Sequence, residues 1–287
     1  MTKLFRDYLF EGQRSVLLIG ARVGDHDIQG YIEKHLKQPT KFVSWGEVCI
    51  RDGIVCAGLD PLEGFNFVFI GPVVENDQLC TCVHEYVEQQ KIPHLFYGSS
   101  SGLNNKPLQS VKLGLSGVPQ IKTIIASGED ISSAELVKAL GLPVISKITD
   151  GAQGRGIEKH ESASSLKKIL NSGKIHIFQK FVPNSGDYRV FFIRSKHIYT
   201  IKRKRTTEEF KNNVSLGGTE EFVDLPGEAM KVARDAVKTM GFGVTGVDLI
   251  QHQSNKKWYV MEVNSAPQFS GKEFEMVMAE LVRQIQK

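Results

Sequence analysis

The segment "VTGVDLIQHQSNKKWYVMEVN" (244–264) carries apolar residues on both sides of a polar centre. "QSNKK" (253–257) is typical of a turn, so its flanks are predicted to form the two antiparallel strands of a hairpin. Centring the turn at Asn255 sets Asp248 directly opposite Glu262. Opposed residues of an antiparallel pair point to the same face, so the two carboxylates should converge.

Asn264 lies two residues past Glu262 and therefore shares its face. The alternate residues should face the core: Val247, Leu249, Met261 and Val263. Like charges opposed in a sheet are unfavourable and call for a cation. Oxygen ligands of this kind suit Mg²⁺. A solvated acidic face beside Lys256 and Lys257 is the alternative interpretation.

A glycine-rich loop follows a strand that contains a lysine. The apolar run "PVISKIT" (143–149) predicts a strand, and "DGAQGRG" (150–156) supplies backbone N–H groups with few large side chains. Lys147, among apolar neighbours, either extends to solvent or meets an anion. Such loops suit phosphate oxygens. No GK[ST] follows, so this is not a Walker A loop.

Further cations lie on both sides of this loop. Lys106 begins a predicted helix, "KPLQSVKLGLSG" (106–117), and a basic run occupies 202–205. Alternation along a strand separates Arg203 from Lys202, so only part of this run can face a site. A solvated strand end and a nuclear-import or nucleic-acid patch are the alternatives.

Composition limits the class of protein. The chain has 287 residues and a net charge of +4, with ordinary apolar and charged fractions. We find no signal peptide and no apolar run that could span a bilayer, so we expect a cytoplasmic protein without membrane association. Four cysteines are too sparse for a disulfide scaffold. A metal site at Cys80, Cys82 and His84 is disfavoured, because thiols two apart on a helix diverge.

The order of elements predicts three parts. Four short apolar strands (15–20, 41–45, 65–71 and 92–98) alternate with helical stretches, which indicates a parallel sheet. A Gly/Ser-rich linker (98–105) precedes a small α+β unit. In that unit Ser132 and Glu135 should form the capping box of a helix that ends at Gly141.

Several ordered motifs together resemble a known family. "QKFVP", "GDYRVFF", "RKR…EEFKNNVSLGG", "GVTGVDLI" and "VMEVNSAP" follow the two lysines in turn. From about Asn105 onward the chain resembles the ATP-grasp superfamily, most closely its RimK-type carboxylate–amine ligases. The resemblance implies an α/β and α+β fold: a pre-ATP-grasp Rossmann-like domain (1–98), then a two-lobed ATP-grasp domain with a small lobe (99–178) and a large C-terminal lobe (179–287).

The resemblance also implies roles for individual residues. Lys106 and Lys147 would hold the nucleotide phosphates, and Arg203 would lie near the γ-phosphate, with Lys147 and Arg203 as the catalytic pair. Residues implied to bind the nucleotide elsewhere are Gln153, Gly154 and Gly156 in the loop, Gln179, Lys180, Phe181 and Val182 in the hinge, Asp187, and Lys211, Asn212 and Asn213. The implied magnesium ligands are Asp248, Glu262 and Asn264, the face already derived from the hairpin.

The implied reaction joins a carboxylate to an amine through an acyl phosphate, with ATP and one or two Mg²⁺, or Mn²⁺. The substrates would be an amino-acid, peptide or protein carboxylate and an amine acceptor, and a homo-oligomer is a further expectation. A peptide macrocyclase and a non-catalytic nucleotide-binding regulator are the alternatives. A nucleic-acid-binding module ranks last, because aromatic residues are sparse around the basic run and the net charge is low.

Overall fold

The computed structural model describes residues 15–20, 28–71, 77–98, 105–128, 130–149, 156–204, 219–269 and 271–286. The chain divides into two compact units. Unit 1 comprises 1–102, 242–245 and 265–287, and unit 2 comprises 103–241 and 246–264. Within the described ranges, no helix combines the length and hydrophobicity needed to cross a membrane.

Unit 1 contains a four-stranded parallel sheet. Its strands, in the spatial order β2-β1-β6-β7, are β1 (Val16–Ile19), β2 (Thr40–Val43), β6 (Phe67–Ile70) and β7 (His94–Phe96). The α-helices in the described part of unit 1 are α1 (Ile28–His35), α2 (Asp77–Gln89) and the C-terminal α7 (Gly271–Ile285). The four predicted strands are confirmed, and the two central ones, β1 and β6, are buried along their whole length, as expected in a parallel sheet.

Unit 1 also holds a small antiparallel sheet that we did not predict. It consists of β3 (Val48–Arg51), β4 (Ile54–Ala57) and β5 (Asp60–Pro61). Asp52 and Gly53 join β3 to β4, and both have positive φ, 50° and 80°. An Asp-Gly pair with this backbone is the preferred two-residue hairpin turn, so the signal was present in the sequence.

Unit 2 begins with helix α3 (Lys106–Leu115) and a four-stranded antiparallel sheet. The strands are β8 (Thr123–Ala126), β9 (Val144–Ile148), β10 (Ile157–His160) and β11 (His176–Lys180), in the order β10-β9-β11-β8. Helices α4 (Ser133–Leu140) and α5 (Ala163–Leu170) pack on one face around Leu136, Leu166 and Phe178. The predicted capping box of Ser132 and Glu135 is present, and Gly141 ends α4 at φ 74°.

The second sheet of unit 2 is five-stranded. Its strands are β12 (Asp187–Ile193), β13 (Lys196–Lys204), β14 (Thr219–Phe222), β15 (Val244–Gln251) and β16 (Trp258–Asn264), in the order β14-β13-β12-β15-β16. Helix α6 (Gly227–Met240) packs against β16 and α3. The helix is amphipathic, and its buried stripe of Ala229, Ala233 and Ala236 allows close approach.

The predicted register of the last hairpin is confirmed, because Asp248 pairs with Glu262. One detail is wrong. A bulge after Asp248 pairs Leu249 with Val260 and leaves Met261 without an opposed residue. Val247, Leu249 and Val263 are fully buried, as expected. Met261 is only partly buried and instead packs beside Ile121, Val182 and Ile250, so its predicted place on the core face is contradicted.

The unit boundaries differ from the predicted domains at the C-terminus. We placed the last lobe at 179–287, whereas residues 265–287 group with unit 1 and helix α7 contacts α1. The physical reason is that α7 packs on α1, where the rings of Tyr31 and Phe274 meet edge-on with centroids 5.7 Å apart. The division into three domains stays a prediction.

The fold predicts a graded response to alanine at three glycines. Gly186 has φ 133°, and a Cβ there would collide with the carbonyl oxygen of Arg203, next to Asp187. Gly186→Ala should therefore lower the free energy of unfolding by more than about 2 kcal/mol, because the backbone collision adds to the strain of the positive φ. Gly117→Ala, with φ 68° and open space, should cost about 1 to 2 kcal/mol. Gly227→Ala, in open space at a helix start, should cost nothing measurable. Chemical denaturation of the three variants checks this order, and a Gly186→Ala variant as stable as wild type would contradict it.

Candidate functional site

A pocket in unit 2 gathers groups from both sheets and from the start of α3. Its lining includes both lysines that the sequence singled out and one of the two hairpin carboxylates. The lining residues are Lys106, Gln109, Ser110, Leu113, Gln120, Thr123, Lys147, Ile177, Gln179, Val260, Met261 and Glu262. The fold therefore brings residues that are far apart in the sequence, between 106 and 262, together around one pocket.

Lys147 faces this pocket because of strand alternation. It pairs with Ile157 and Ile177 on the neighbouring strands, whereas Val144 and Phe178 face the helices on the other side of the sheet. Burial and the charge of Lys106 lower the pKa of Lys147, and Glu262 and Asp248 oppose that shift. A partly buried ammonium in this setting favours an anionic ligand.

Lys106 is the first residue of α3. Asn105 caps the helix by accepting from the Leu108 N–H at 2.7 Å. Gln109, one turn on, accepts from the Val263 N–H at 3.1 Å, which fixes this end of the helix against β16. The Lys106 Nζ consequently lies 3.8 Å from a carboxylate oxygen of Glu262. A helix N-terminus and an ammonium together attract phosphate.

Asp248 is buried between two arginines. Its two oxygens accept from Nε and Nη2 of Arg189, each at 2.9 Å, and Nη2 of Arg203 lies 3.2 Å away. Burial raises the pKa of Asp248, but the charges and hydrogen bonds of Arg189 and Arg203 outweigh it and lower the pKa to about 2. The carboxylate is therefore ionised at neutral pH and orients both guanidinium groups.

Arg203 is held from its other side by Asp187. The two residues pair across β12 and β13, and Nε of Arg203 donates to Asp187 at 2.5 Å. Both side chains are almost completely buried. The carboxylate of Asp187 thus orients Arg203. That Asp187 also contacts the nucleotide stays a prediction.

Arg189 is the functional residue that we missed. It lies within "GDYRVFF", two residues after Asp187, so alternation puts both on one face of β12. What the sequence does not reveal is that β12 lies beside β15, which brings Arg189 to Asp248. Burial lowers the pKa of Arg189, but Asp248 more than offsets this, so the pKa lies above its ordinary value.

Glu262 and Asn264 are the more accessible members of the predicted metal set. The Glu262 side chain is 33 % exposed, whereas that of Asp248 is 5 % exposed. Asn264 donates from Nδ2 to Asp248 at 3.3 Å, which leaves its amide oxygen for another partner. Glu262 and Asn264 thus fit a hard divalent cation. Asp248 can bind such a cation only through a carboxylate lone pair that the two arginines leave unused.

The hinge strand ends beside an apolar cluster. Gln179 is buried and donates to Thr123 at 3.1 Å. The N–H groups of Lys180 and Phe181 donate to the carbonyls of Lys122 and Pro143. Val182 packs with Ile121 and Ile250, next to Tyr259 and Met261.

Some predicted residues lie outside the described ranges: Gln153, Gly154, Lys211, Asn212 and Asn213. Gly156, at the end of the glycine loop, is described and has φ 68°. Its missing side chain matters, because a Cβ there would press on Ile148.

Among the described residues that line the pocket, cations outnumber anions by one. The cations are Lys106 and Lys147, and the anion is Glu262. A concave surface with excess positive charge raises the local concentration of anionic ligands.

Comparison with known proteins places the chain in a family. Residues 105–285 match the model of the RimK-like ATP-grasp domain. A relative from Legionella pneumophila (strain Corby), named "Probable alpha-L-glutamate ligase", is 35% identical over 165 residues, which cover 55% of this chain and 54% of the relative. The chain thus matches about half the length of this relative.

Solved structures share the fold over nearly the whole chain. The ATP-grasp ligase PsnB, in complex with precursor peptide PsnA2 and AMPPNP, has a TM-score of 0.69 at 16% identity and covers 95% of this chain and 98% of its own. The D-alanine–D-alanine ligase of Bacillus anthracis, in complex with ATP, has a TM-score of 0.62 at 16% identity and covers 96% and 99%.

The predicted α/β and α+β architecture with an ATP-grasp fold is therefore confirmed. On the strength of the match over residues 105–285, the chain belongs to the RimK-like ATP-grasp family.

Proposed function

We propose that this chain is an ATP-dependent ligase that joins a carboxylate to an amine, with release of ADP and phosphate. One observation carries the proposal: two lysines and Glu262 line a single pocket, and Glu262 pairs across the hairpin with Asp248, the centre of the Arg189–Asp248–Arg203 network. Phosphoryl transfer depends mainly on positioning and charge neutralisation, and this pocket offers both.

The proposed nucleotide site has an apolar and a cationic end. The adenine would lie on the cluster of Ile121, Val182 and Met261 and accept a hydrogen bond from the hinge backbone at Val182. The triphosphate would extend toward Lys106 and Lys147, which line one pocket together with Met261. Gln153, Gly154, Gly156, Lys211, Asn212 and Asn213 are proposed to contact the nucleotide from the intervening segments.

The proposed metal site uses the outer residues of the hairpin. Glu262 and Asn264 would hold one or two Mg²⁺, or Mn²⁺, and Asp248 would contribute a carboxylate oxygen from its more buried position. Bound there with ATP, the ion supplies charge neutralisation on phosphate oxygens. Glu262 also holds Lys106 at 3.8 Å, so it aligns a cation as well as a metal.

The arginines supply fixed positive charge. Arg203 is clamped by Asp187 and Asp248, so its orientation costs little reorganisation when charge develops on the γ-phosphate. Arg189 balances the charge of Asp248, which would otherwise be a costly buried anion. We propose Arg203 and Lys147 as the residues that stabilise the transferring phosphoryl group.

The proposed reaction has two balanced steps. A substrate carboxylate oxygen bonds to the γ-phosphorus, the bond to ADP breaks, and an acyl phosphate forms. The amine nitrogen then bonds to the acyl carbon, phosphate leaves with the bonding electron pair, and the amine loses a proton. Water must be kept from the acyl phosphate in between.

The proposed substrates are an amino acid or a peptide. The similarity to a probable alpha-L-glutamate ligase makes glutamate the first amine to test. The fold shared with PsnB, solved with a precursor peptide, makes a peptide the second. A homo-oligomer is proposed on family grounds alone.

The first experiment measures substrate-dependent phosphate release. The chain is incubated with ATP and Mg²⁺, with and without glutamate and pooled peptides, and products are read by mass spectrometry. We expect ADP and phosphate to appear in equal amounts, together with a product whose mass is that of the two joined substrates minus one water. Nucleotide binding without any substrate-dependent turnover would favour the regulator instead.

A matched pair of variants separates the roles of the two hairpin carboxylates. Glu262→Gln should abolish ADP release but leave stability almost unchanged, because Glu262 is partly exposed. Asp248→Asn should abolish ADP release and also lower the free energy of unfolding by about 3 to 5 kcal/mol, because the two buried arginines lose their negatively charged partner. Glu221→Gln, at an exposed ion pair, is the control for both readouts.

Stability and turnover are measured on the same preparations by denaturant titration and phosphate release. Full turnover by Glu262→Gln would refute its assignment to the metal. An Asp248→Asn variant with wild-type stability would refute the anchoring role of Asp248.

Nucleotide affinity should fall as the pH rises, because Lys147 then loses its proton. Its pKa is lowered by burial and by Lys106, against the opposing charges of Glu262 and Asp248. Phosphate binding favours the charged ammonium, so affinity is full below that lowered pKa. Above it, affinity should fall by up to about tenfold per pH unit. Lys147→Arg should keep its affinity at the higher pH. Calorimetric titration with AMPPNP across pH checks this, and identical profiles for the two proteins would contradict it.

A further inference from the structure

Three metal-ligating side chains meet in unit 1, whereas the residues that line the nucleotide pocket belong to unit 2. His84 and Glu88 lie one turn apart on α2, and His94 begins β7. One ligand atom from each lies within 4.8 Å of the other two. Residues four apart on a helix share a face, so α2 presents His84 and Glu88 together toward the strand.

The ring of His94 is oriented by its own backbone. Its Nδ1 lies 2.8 Å from the carbonyl oxygen of Ile92. A carbonyl only accepts, so Nδ1 carries a proton and donates it. Nε2 is then the nitrogen that faces Glu88, 3.3 Å from one of its carboxylate oxygens. A histidine whose second ring nitrogen donates to a backbone carbonyl is the usual arrangement of a metal ligand.

His84 completes the group from the side of the helix. Its ring meets the ring of His94 edge-on, with centroids 6.2 Å apart, and also contacts Phe96 at 5.1 Å.

One of the three ligand separations matches a small tetrahedral ion, and all three lie within 4.8 Å. Ligand atoms about 2.0 to 2.1 Å from zinc stand about 3.3 Å from one another, the distance between His94 Nε2 and Glu88 Oε1. Two imidazoles and one carboxylate form a zinc ligand set that leaves the fourth position to water. Mg²⁺ and Ca²⁺ prefer oxygen ligands, so they fit poorly.

We propose that His84, Glu88 and His94 form a second metal site, which binds Zn²⁺ or a similar divalent transition-metal ion. The site joins the C-terminal half of α2 to the start of β7. The ion acts as a clamp between a helix and a strand of unit 1, separate from the Mg²⁺ proposed for the ligase reaction.

The alternative is an ion pair between a protonated His94 and Glu88, which needs no metal and predicts no zinc uptake. The two interpretations also differ in the part of His84. The metal site needs it as a third ligand, whereas the ion pair does not use it.

The test is calorimetric titration of Zn²⁺ into the tag-free, nucleotide-free full chain, with excess Mg²⁺ to occupy the nucleotide-associated metal site. We expect one equivalent of Zn²⁺ to bind and to raise the thermal unfolding midpoint. His84→Gln, Glu88→Gln and His94→Gln should each weaken that binding by at least about tenfold, since even partners outside the ligand set cost that much.

Matched controls keep the test decisive. Glu85→Gln changes an exposed glutamate on the same helix, His35→Gln an exposed histidine on α1, and Cys82→Ser the one exposed thiol among the four cysteines. All three should bind like wild type. Glu88 is exposed, so Glu88→Gln is expected to fold, and circular dichroism verifies each variant. No zinc uptake by wild type, or unchanged uptake by the three ligand variants, would overturn the proposal.

Discussion

The structure of the site depends on one buried carboxylate. Asp248 lies on β15, between β12 and β16 of the five-stranded sheet of unit 2, and binds Arg189 through two hydrogen bonds and Arg203 through an ion pair. A buried ion pair is stable only when its partners complete each other's hydrogen bonds. Here Asp187 does so for Arg203. The result is a buried layer of alternating charge. The more exposed Glu262 pairs with Asp248 across the hairpin, and Asn264 donates a hydrogen bond to it.

This layer explains how an antiparallel sheet becomes a site for a polyanion. Two lysines from separate elements, α3 and β9, supply charge that the sheet itself does not neutralise. Lys106 is fixed by the capped start of its helix and by Gln109, which bonds to β16. Lys147 is fixed by strand alternation. The cations are therefore in place before any ligand binds, which reduces the cost of reorganisation.

The sequence predicted local pairings well and non-local ones poorly. The turn around Asn255 was enough to set Asp248 opposite Glu262, because hairpin register follows from the turn. Arg189 was missed because strand order is a tertiary property, and nothing local reveals that β12 lies beside β15. Met261 was misplaced because a bulge inserts one residue without a sequence signal. The roles taken from family resemblance depend on residues such as Gln153 and Asn213, which lie outside the described ranges.

The most direct measurement is a crystal structure of the chain with AMPPNP and Mg²⁺. The account predicts that Lys106 and Lys147 contact phosphate oxygens and that Glu262 and Asn264 contact the ion. Asp248 should keep both guanidinium groups. Phosphates bound away from the two lysines, or an Asp248 that has exchanged Arg189 for the metal, would contradict the claim that this buried network is the fixed base of the site.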